Sequence, residues 1–377
     1  MLKITTGYNK DRDLIQGIKR SGLPVILYGV GLIADNAEIM LQENGLGVAS
    51  RVIDDKYLDS VPVSERNSCV LSISQLERQY KAYNLLLCFF GGYRSDLQTY
   101  RDLFPGANIL DFLSSIYDRG VLETMDTSYI TDHLDAFEKV YDLLEDRLSR
   151  DSMEAYLNAK INRDASFLFP YVRRPQYFSG SDRVLDLKLR KDEILINCGA
   201  FTGDTIKDFL VAVDNNFQKI YACEPDPVNV QHLTDFIKSI GIGDRTQIIP
   251  KCISDKRENV FFLCRGNMLS RKVEEQQPGT VLIQADTIDN LLGSRPVSLI
   301  VMDVEGNELK ALQGAKDSIL KHKPLLAVAA YHKKDDLITL TGYLKELVAE
   351  YRFYFRVHKP MAIDAVLYAS TRAATCL

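Results

Sequence analysis

Apolar and polar positions along this chain follow two different periods. Short unbroken apolar runs recur early, at Pro24-Val-Ile-Leu-Tyr28, Val48 to Asp54, Asn84-Leu-Leu-Leu-Cys-Phe-Phe90 and Asn108-Ile-Leu-Asp111. A helix pattern from Ile33 to Asn44 separates the first two, and a short helical stretch precedes them. Runs of this length without alternation read as strands buried on both faces, so the first part predicts a small parallel sheet. From Thr131 to about Asn162 the period lengthens. Leu134, Phe137, Tyr141, Leu144 and Leu148 recur at helical spacing among charged residues, as in an amphipathic connector. Its apolar stripe is expected to pack on a neighbouring domain, with a dimer contact as the alternative. Pro170 and Pro175 then punctuate the chain.

Beyond them strands and helices alternate. Strands are predicted at 194–198, 219–224, 247–252, 260–264, 280–285, 297–303 and 324–331, and helices from 203 and over 227–239, 306–320 and 336–349. Two closing strands, 352–358 and 363–369, are joined by the short turn at Lys359-Pro360, so they must be antiparallel neighbours. The expected division is 1–125 for a smaller Rossmann-like α/β domain, 126–175 for the helical connector and 176–377 for a second, mostly parallel sheet with an antiparallel closing strand.

The second unit carries the chemistry. Asn197 to Thr205 reads N-C-G-A-F-T-G-D-T directly after an apolar strand, and Glu224 closes the next strand. Strand, glycine turn and helix start bring backbone N–H groups against a ligand, and an acid ending the second strand can meet a ribose diol. The glycines are spaced G-x-x-x-G, lacking the G-x-G-x-x-G that a dinucleotide pyrophosphate prefers, which favours S-adenosylmethionine over NAD at this turn. The candidate cofactor-binding set is Asn197, Gly199, Ala200, Thr202, Gly203, Asp204, Thr205, Glu224, Pro225 and Asp226. Asp226 before Pro227 also reads as a plain helix N-cap.

Asp303, Glu305 and Glu308 crowd the end of another buried strand, where open α/β sheets bind ligands. Glu308 is explained by the helix dipole alone. His332 follows the apolar run Leu325 to Tyr331 and, with Asp303, is a candidate base for a substrate hydroxyl. Asp303, Glu305 and His332 form the candidate catalytic set. They could share a divalent cation, although no metal is expected. Arg356 and His358 end a further strand, where they could clamp an anionic group or simply be solvated. In the first unit Gly29-Val-Gly31-Leu-Ile-Ala34, followed by Asp54, has the G-x-G-x-x-A form of a dinucleotide fingerprint and keeps an NAD-binding alternative open.

Composition narrows the partners. Apolar residues make up 46% and charged residues 26%, an ordinary globular balance, and the net charge of −5 supplies no basic field for nucleic acid. The 7 cysteines are scattered and never form C-x-x-C, as expected of reduced core thiols. No apolar run approaches the ~18 residues of a membrane span, and the start of the chain lacks a signal-peptide stretch. A cytoplasmic protein with no membrane span is expected.

The ordered motifs N-C-G-A-F-T-G-D-T, Y-A-C-E-P-D-P, T-I-D-N-L-L and M-D-V-E-G-N-E-L resemble the FkbM family of S-adenosylmethionine-dependent methyltransferases. The likeness runs from about Gln176 to Ala369 and takes in Gln176-Tyr177-Phe178, Tyr331-His332-Lys333 and the closing strands. It implies a class I methyltransferase fold and methylation of a hydroxyl, often on a sugar or natural-product scaffold. It further implies that Gly199, Ala200, Gly203 and Glu224 hold the cofactor, with Asp303 and Glu305 near the reacting centre. Tyr177, Phe178, Arg356 and His358 are the expected substrate contacts. Position 197 departs from the family's usual Asp, carrying Asn. The first unit resembles small Rossmann-like domains of sugar-modifying enzymes, including sugar acyltransferases. The expectation is an O-methyltransferase of polysaccharide or glycan-precursor biosynthesis. Its alternatives are an NAD-binding sugar-modifying enzyme working through the Gly29 turn and a catalytically silent methyltransferase-like scaffold.

Overall fold

The computed structural model of the 377-residue chain describes residues 2–60, 70–88, 97–110, 123–173, 176–178, 187, 189–266, 270–359 and 364–372. The chain divides into two compact units: Thr5–Gly120 with Asn158–Phe167, and Met1–Ile4 with Val121–Leu157 and Leu168–Leu377.

The smaller unit is built on five parallel strands: β1 (Val25–Tyr28), β2 (Val48–Ile53), β3 (Val70–Ser72), β4 (Tyr83–Leu87) and β5 (Ala107–Leu110). They lie in the order β3-β2-β1-β4-β5, so the winding reverses between β1 and β4. Every side chain of β1 and β4 is buried, as their unbroken apolar runs require. β3 is a strand that the apolar pattern does not announce. The parts of the expected strands at Phe89-Phe90 and Asp111, with Gly91-Gly92, lie outside the described residues.

The larger unit holds a seven-stranded sheet of β6 (Ile194–Cys198), β7 (Lys219–Cys223), β8 (Thr246–Ile249), β13 (Leu299–Met302), β14 (Leu325–Ala329), β15 (Arg352–Val357) and β16 (Ala365–Ser370). Its order is β15-β16-β14-β13-β6-β7-β8. β6, β7, β8, β13 and β14 are parallel, whereas β16 runs antiparallel between β14 and β15. Between β8 and β13 a second sheet forms from β9 (Cys252–Ile253), β10 (Glu258–Leu263), β11 (Arg271–Val273) and β12 (Thr280–Asp286), in the order β11-β10-β12-β9.

Two expected elements are divided. The run 247–252 is not one strand but the end of β8 and the start of β9, separated by Pro250, which has no N–H for the ladder. The helix expected over 306–320 is two helices, Glu308–Gln313 and Lys316–His322. A Cβ on Gly314 between them would meet the Ser254 carbonyl oxygen at 2.0 Å, so the chain turns there on glycine. The connector likewise comprises three helices, Thr127–Asp132, Leu134–Leu143 and Arg147–Asn162. The second packs on the helix Asp336–Leu347 of the same unit.

Register places the site. Cys198 pairs with Cys223 on one side and Met302 on the other, so β6, β7 and β13 end level with one another. Gly199, Glu224 and Asp303 are the next residues on each. They line one carboxyl edge at the point where the winding reverses between β6 and β13. The core beneath it is Leu195, Phe209, Ile220, Leu299 and Val301, all 0–1% exposed.

Candidate active site

The glycine turn is tied down mainly by its own protein. The amides of Gly199 and Ala200 both donate to the Cys223 carbonyl, at 3.0 and 2.9 Å, and that of Gly203 donates to the Ala200 carbonyl. Gly199 has φ +82°, and a Cβ there would stand 1.9 Å from the Asp303 carbonyl oxygen. Gly203, φ +99°, would set its Cβ 2.4 Å from the Phe236 ring. Each glycine is therefore demanded by close packing within the chain, before any ligand approaches. The reason expected from sequence, backbone N–H groups brought against a ligand, is joined by one internal to the fold. Gly203 caps the helix Asp204–Ala212, whose Asp204 carboxylate accepts from the Thr205 amide at 2.9 Å.

Glu224 is 5% exposed and binds the two halves of the turn together. One oxygen accepts from the Phe201 amide at 2.9 Å; the other accepts from the Asp226 amide at 2.9 Å and the Asn229 side chain at 3.3 Å. Burial raises its pKa, and these hydrogen bonds only partly offset the rise. Asp226 caps the helix Pro227–Ser239 through the Val228 amide, and its second oxygen accepts from Arg265 N, Gly266 N and Ser270 Oγ. Glu224, expected at a ribose, and Asp226 thus both hold protein. Thr202 and Pro225, half-buried, complete the rim.

Asn197 behaves differently. It is 1% exposed, and its amide nitrogen is buried with no hydrogen-bond partner. An orphaned donor costs about 1–3 kcal/mol, so a stable fold keeps one where something else accepts from it.

Across β13 the acids gather around one imidazole. His332 Nε2 lies 3.6 Å from Asp303 Oδ1 and 3.4 Å from Glu305 Oε2, and its Nδ1 lies 3.1 Å from Glu308 Oε1. The contacts are ionic, since neither ring nitrogen has a partner at hydrogen-bonding angles. Burial alone would lower the imidazole's pKa, but the Glu308 and Glu305 carboxylates outweigh it and hold His332 well above the usual histidine range. The carboxylates thus favour the protonated ring, which counts against His332 as the base. Asp303 is the opposite case. Burial, opposed by His332 but reinforced by Glu305 and Glu308, pushes its carboxyl up to about 7. Its side chain is 24% exposed, and its oxygens accept from the Tyr177 hydroxyl at 2.7 Å and the Tyr331 hydroxyl at 3.2 Å. Glu305 holds φ +54°, a left-handed conformation costing a non-glycine residue ~1–2 kcal/mol. Such strain concentrates at functional sites.

Asp303, Glu305 and His332 share one edge, and three neighbours join them, of which Asp336 has no signal in the sequence. Glu308 is 1% exposed and faces His332, beyond any dipole role. Asp336, 3% exposed, is pushed up to about 7 by burial and by Glu308. Tyr331 was visible only as part of a motif. The structure does not bring Phe178, Arg356 or His358 into this group. Phe178 packs on Phe209 in the core, with ring centroids 5.6 Å apart. The Arg356 guanidinium is 2% exposed and bound by Asp146, at 2.6 Å, and by Ser149. His358 lies against the Arg173 carbonyl and the Tyr368 hydroxyl, and burial lowers its pKa to about 4. A charged clamp needs exposed cations, and neither residue offers one.

Residues 197–356 match the family model of the methyltransferase FkbM domain. Over those residues the larger unit is similar to FkbM methyltransferase domains. Over the whole fold the chain is similar to methyltransferase FkbM from Methylobacillus flagellatus KT, with TM-score 0.69, 22% identity, and 98% of this chain and 94% of that chain covered. At that identity the likeness shows the fold. An rRNA methylase from Streptococcus thermophilus overlaps at TM-score 0.32 and 13% identity, covering 50% of this chain and 90% of its own. A methyltransferase from Geobacter sulfurreducens gives 0.29 and 12%, covering 68% and 95%. Overlaps so partial carry no argument. No curated protein matches the chain. Among the described residues no helix is long and apolar enough to cross a membrane.

In the smaller unit, Gly29 has φ +135°, and a Cβ there would meet the Cys88 carbonyl oxygen at 2.5 Å. That crossing explains the fingerprint glycine without a dinucleotide. Asp54 stands beside the Tyr28 hydroxyl, whose pKa rises through burial and through the Asp54 carboxylate.

Proposed function

We propose that the FkbM domain transfers a methyl group from S-adenosylmethionine to a hydroxyl of a sugar, a glycan precursor or a natural-product scaffold. The observation that carries this reading is Asp303. Its backbone carbonyl packs against the cofactor turn at Gly199, while its carboxylate, pushed up to about 7, is partly exposed at the same edge. The orphaned Asn197 donor and the turn from Gly199 to Thr205, closed by Glu224, Pro225 and Asp226, fit a polar cofactor at this edge. When bound, S-adenosylmethionine supplies an electrophilic methyl group. The chain's own part is to place the acceptor hydroxyl in line, worth far more than any single group, and to receive its proton at Asp303. Tyr177 and Tyr331, both kept protonated by burial and by Asp303, orient that carboxylate. His332 supports the site as a buried cation rather than as the base. The cysteines among the described residues carry free thiols, in keeping with a cytoplasmic enzyme.

Calorimetric titration of the full chain with S-adenosylmethionine and S-adenosylhomocysteine, with NAD in parallel, tests the reading. Micromolar binding of the first two is expected. Binding of NAD alone would move the function to the Gly29 turn, and binding of none would leave a silent scaffold.

A further inference from the structure

We infer that Asp303, Glu305 and His332 form a binding site for a divalent transition-metal cation at the carboxyl edge of the FkbM domain. One potential ligand atom from each residue lies within 4.8 Å of the other two, and His332 Nε2 is 3.6 and 3.4 Å from the Asp303 and Glu305 oxygens. Ligands at ~2.1 Å around a tetrahedral ion stand about 3.4 Å apart. The side chains are thus spaced to receive an ion with little rearrangement.

The second observation is the imidazole itself. His332 is 3% exposed, and its Nε2 has no hydrogen-bond partner although it faces the Asp303 and Glu305 oxygens. Glu308 stands 3.1 Å from Nδ1, the outer carboxylate that usually fixes the ring of a metal-binding histidine and leaves Nε2 facing the metal. Tyr177 engages Oδ2 of Asp303 at 2.7 Å, and Tyr331 reaches both oxygens at 3.2 and 3.3 Å, while Oδ1 is the oxygen that faces His332 Nε2. Charge points the same way. Among the described residues Asp303, Glu305, Glu308 and Asp336 surround His332, and Lys333 stands nearby. Two carboxylates and one imidazole suit Mn²⁺, Co²⁺ or Zn²⁺ better than Mg²⁺. An acceptor hydroxyl reaching the ion would lose its proton more easily. That consequence rests on the methyl-transfer reading, whereas ion binding does not.

Titration of the full chain, stripped with chelator, by MnCl₂ and ZnCl₂ without S-adenosylmethionine tests the inference, with bound Mn²⁺ also read by paramagnetic resonance. One ion per chain at micromolar affinity is expected. Glu305→Gln, at a partly exposed position that tolerates the change, should weaken binding at least tenfold. No binding at millimolar metal, or binding unaltered in Glu305→Gln, would overturn the inference. Loss of S-adenosylmethionine binding with ion binding intact would instead count against the methyl-transfer reading alone.

Discussion

The chain presents the same device twice, at Gly199 and at Gly29, and the two copies differ in what surrounds them. Each is a strand, a glycine at positive φ and a helix, placed where a parallel sheet reverses its winding. Each glycine makes room for a carbonyl of the strand across the reversal, Asp303 in one unit and Cys88 in the other. The acids ending the second strands then diverge. Glu224 reaches back to the Phe201 amide of the turn, whereas Asp54 meets the Tyr28 hydroxyl. Only the larger unit adds Asp303, Glu305 and Glu308 around a histidine. The glycine therefore reports topology, and the carboxylates report chemistry.

The most damaging test removes what the two turns share. Gly199→Ala and Gly29→Ala place a methyl group within 1.9 and 2.5 Å of a backbone oxygen at positive φ. Each is expected to cost about 4 kcal/mol or more, the range of severe core disruption. Thermal unfolding should show a lowered transition for either variant. A Gly29→Ala protein as stable as the parent would break the parallel.

Asp303→Asn separates the turns chemically. Asparagine keeps an acceptor for Tyr177 and loses the charge, so the fold should hold while turnover falls ~10²- to 10⁴-fold, the usual worth of proton-transfer assistance. Cofactor affinity, measured by calorimetry, should change by less than about threefold. Methyl transfer at the parent rate would remove Asp303 from the proposed mechanism.

How far the sequence reaches follows from the same contrast. The two mostly parallel sheets and the closing antiparallel pair were legible, because unbroken apolar runs and the turn at Lys359-Pro360 are local signals, whereas the separate four-stranded sheet of β9 to β12 was not. Asp303, Glu305 and His332 were legible as strand ends at a carboxyl edge. The environment of each was not. Arg356 looks like a rim cation until Asp146 and Ser149, more than 200 positions earlier, claim it. His332 and His358 look alike in sequence, yet one meets Glu305 and Glu308 and the other a carbonyl and a phenol. Such partners are set by tertiary structure, which no local pattern records.

His358 is the contrasting histidine of the larger unit, held neutral, and pH reads it out. Its folded pKa of about 4 lies below the ordinary 6.5, so between those values the unfolded chain binds more protons. Stability conferred by the neutral ring is complete above about pH 6.5 and is lost as pH falls toward 4, by up to about 3 kcal/mol. Urea unfolding of the parent and of His358→Gln should converge across this window, the variant having the flatter profile. Parallel profiles would mean that His358 is not held neutral.

Glu224→Gln and Asp54→Asn compare the acids directly. Glutamine retains one acceptor oxygen but turns the other side into a donor, so either the Phe201 or the Asp226 amide loses its partner. S-adenosylmethionine binding should weaken about tenfold, roughly 1.4 kcal/mol. Asp54→Asn should leave that titration unchanged. Equal losses in the two variants would place the ligand's acid in the wrong unit.

The mildest variant isolates the one contact that distinguishes the smaller turn. Tyr28→Phe keeps the ring against Phe104, 5.1 Å between centroids, and deletes only the hydroxyl that Asp54 accepts from. A net hydrogen bond to a charged group is worth about 1.5–3 kcal/mol at most, and Asp54, half-buried, can turn to water, so about 1 kcal/mol is the expected loss. Methyl transfer should not change. If Asp54 instead serves a nucleotide, removing its tyrosine partner would free the carboxylate and strengthen NAD binding in calorimetry. Titration of Tyr28→Phe with NAD therefore asks whether the second turn is topology alone.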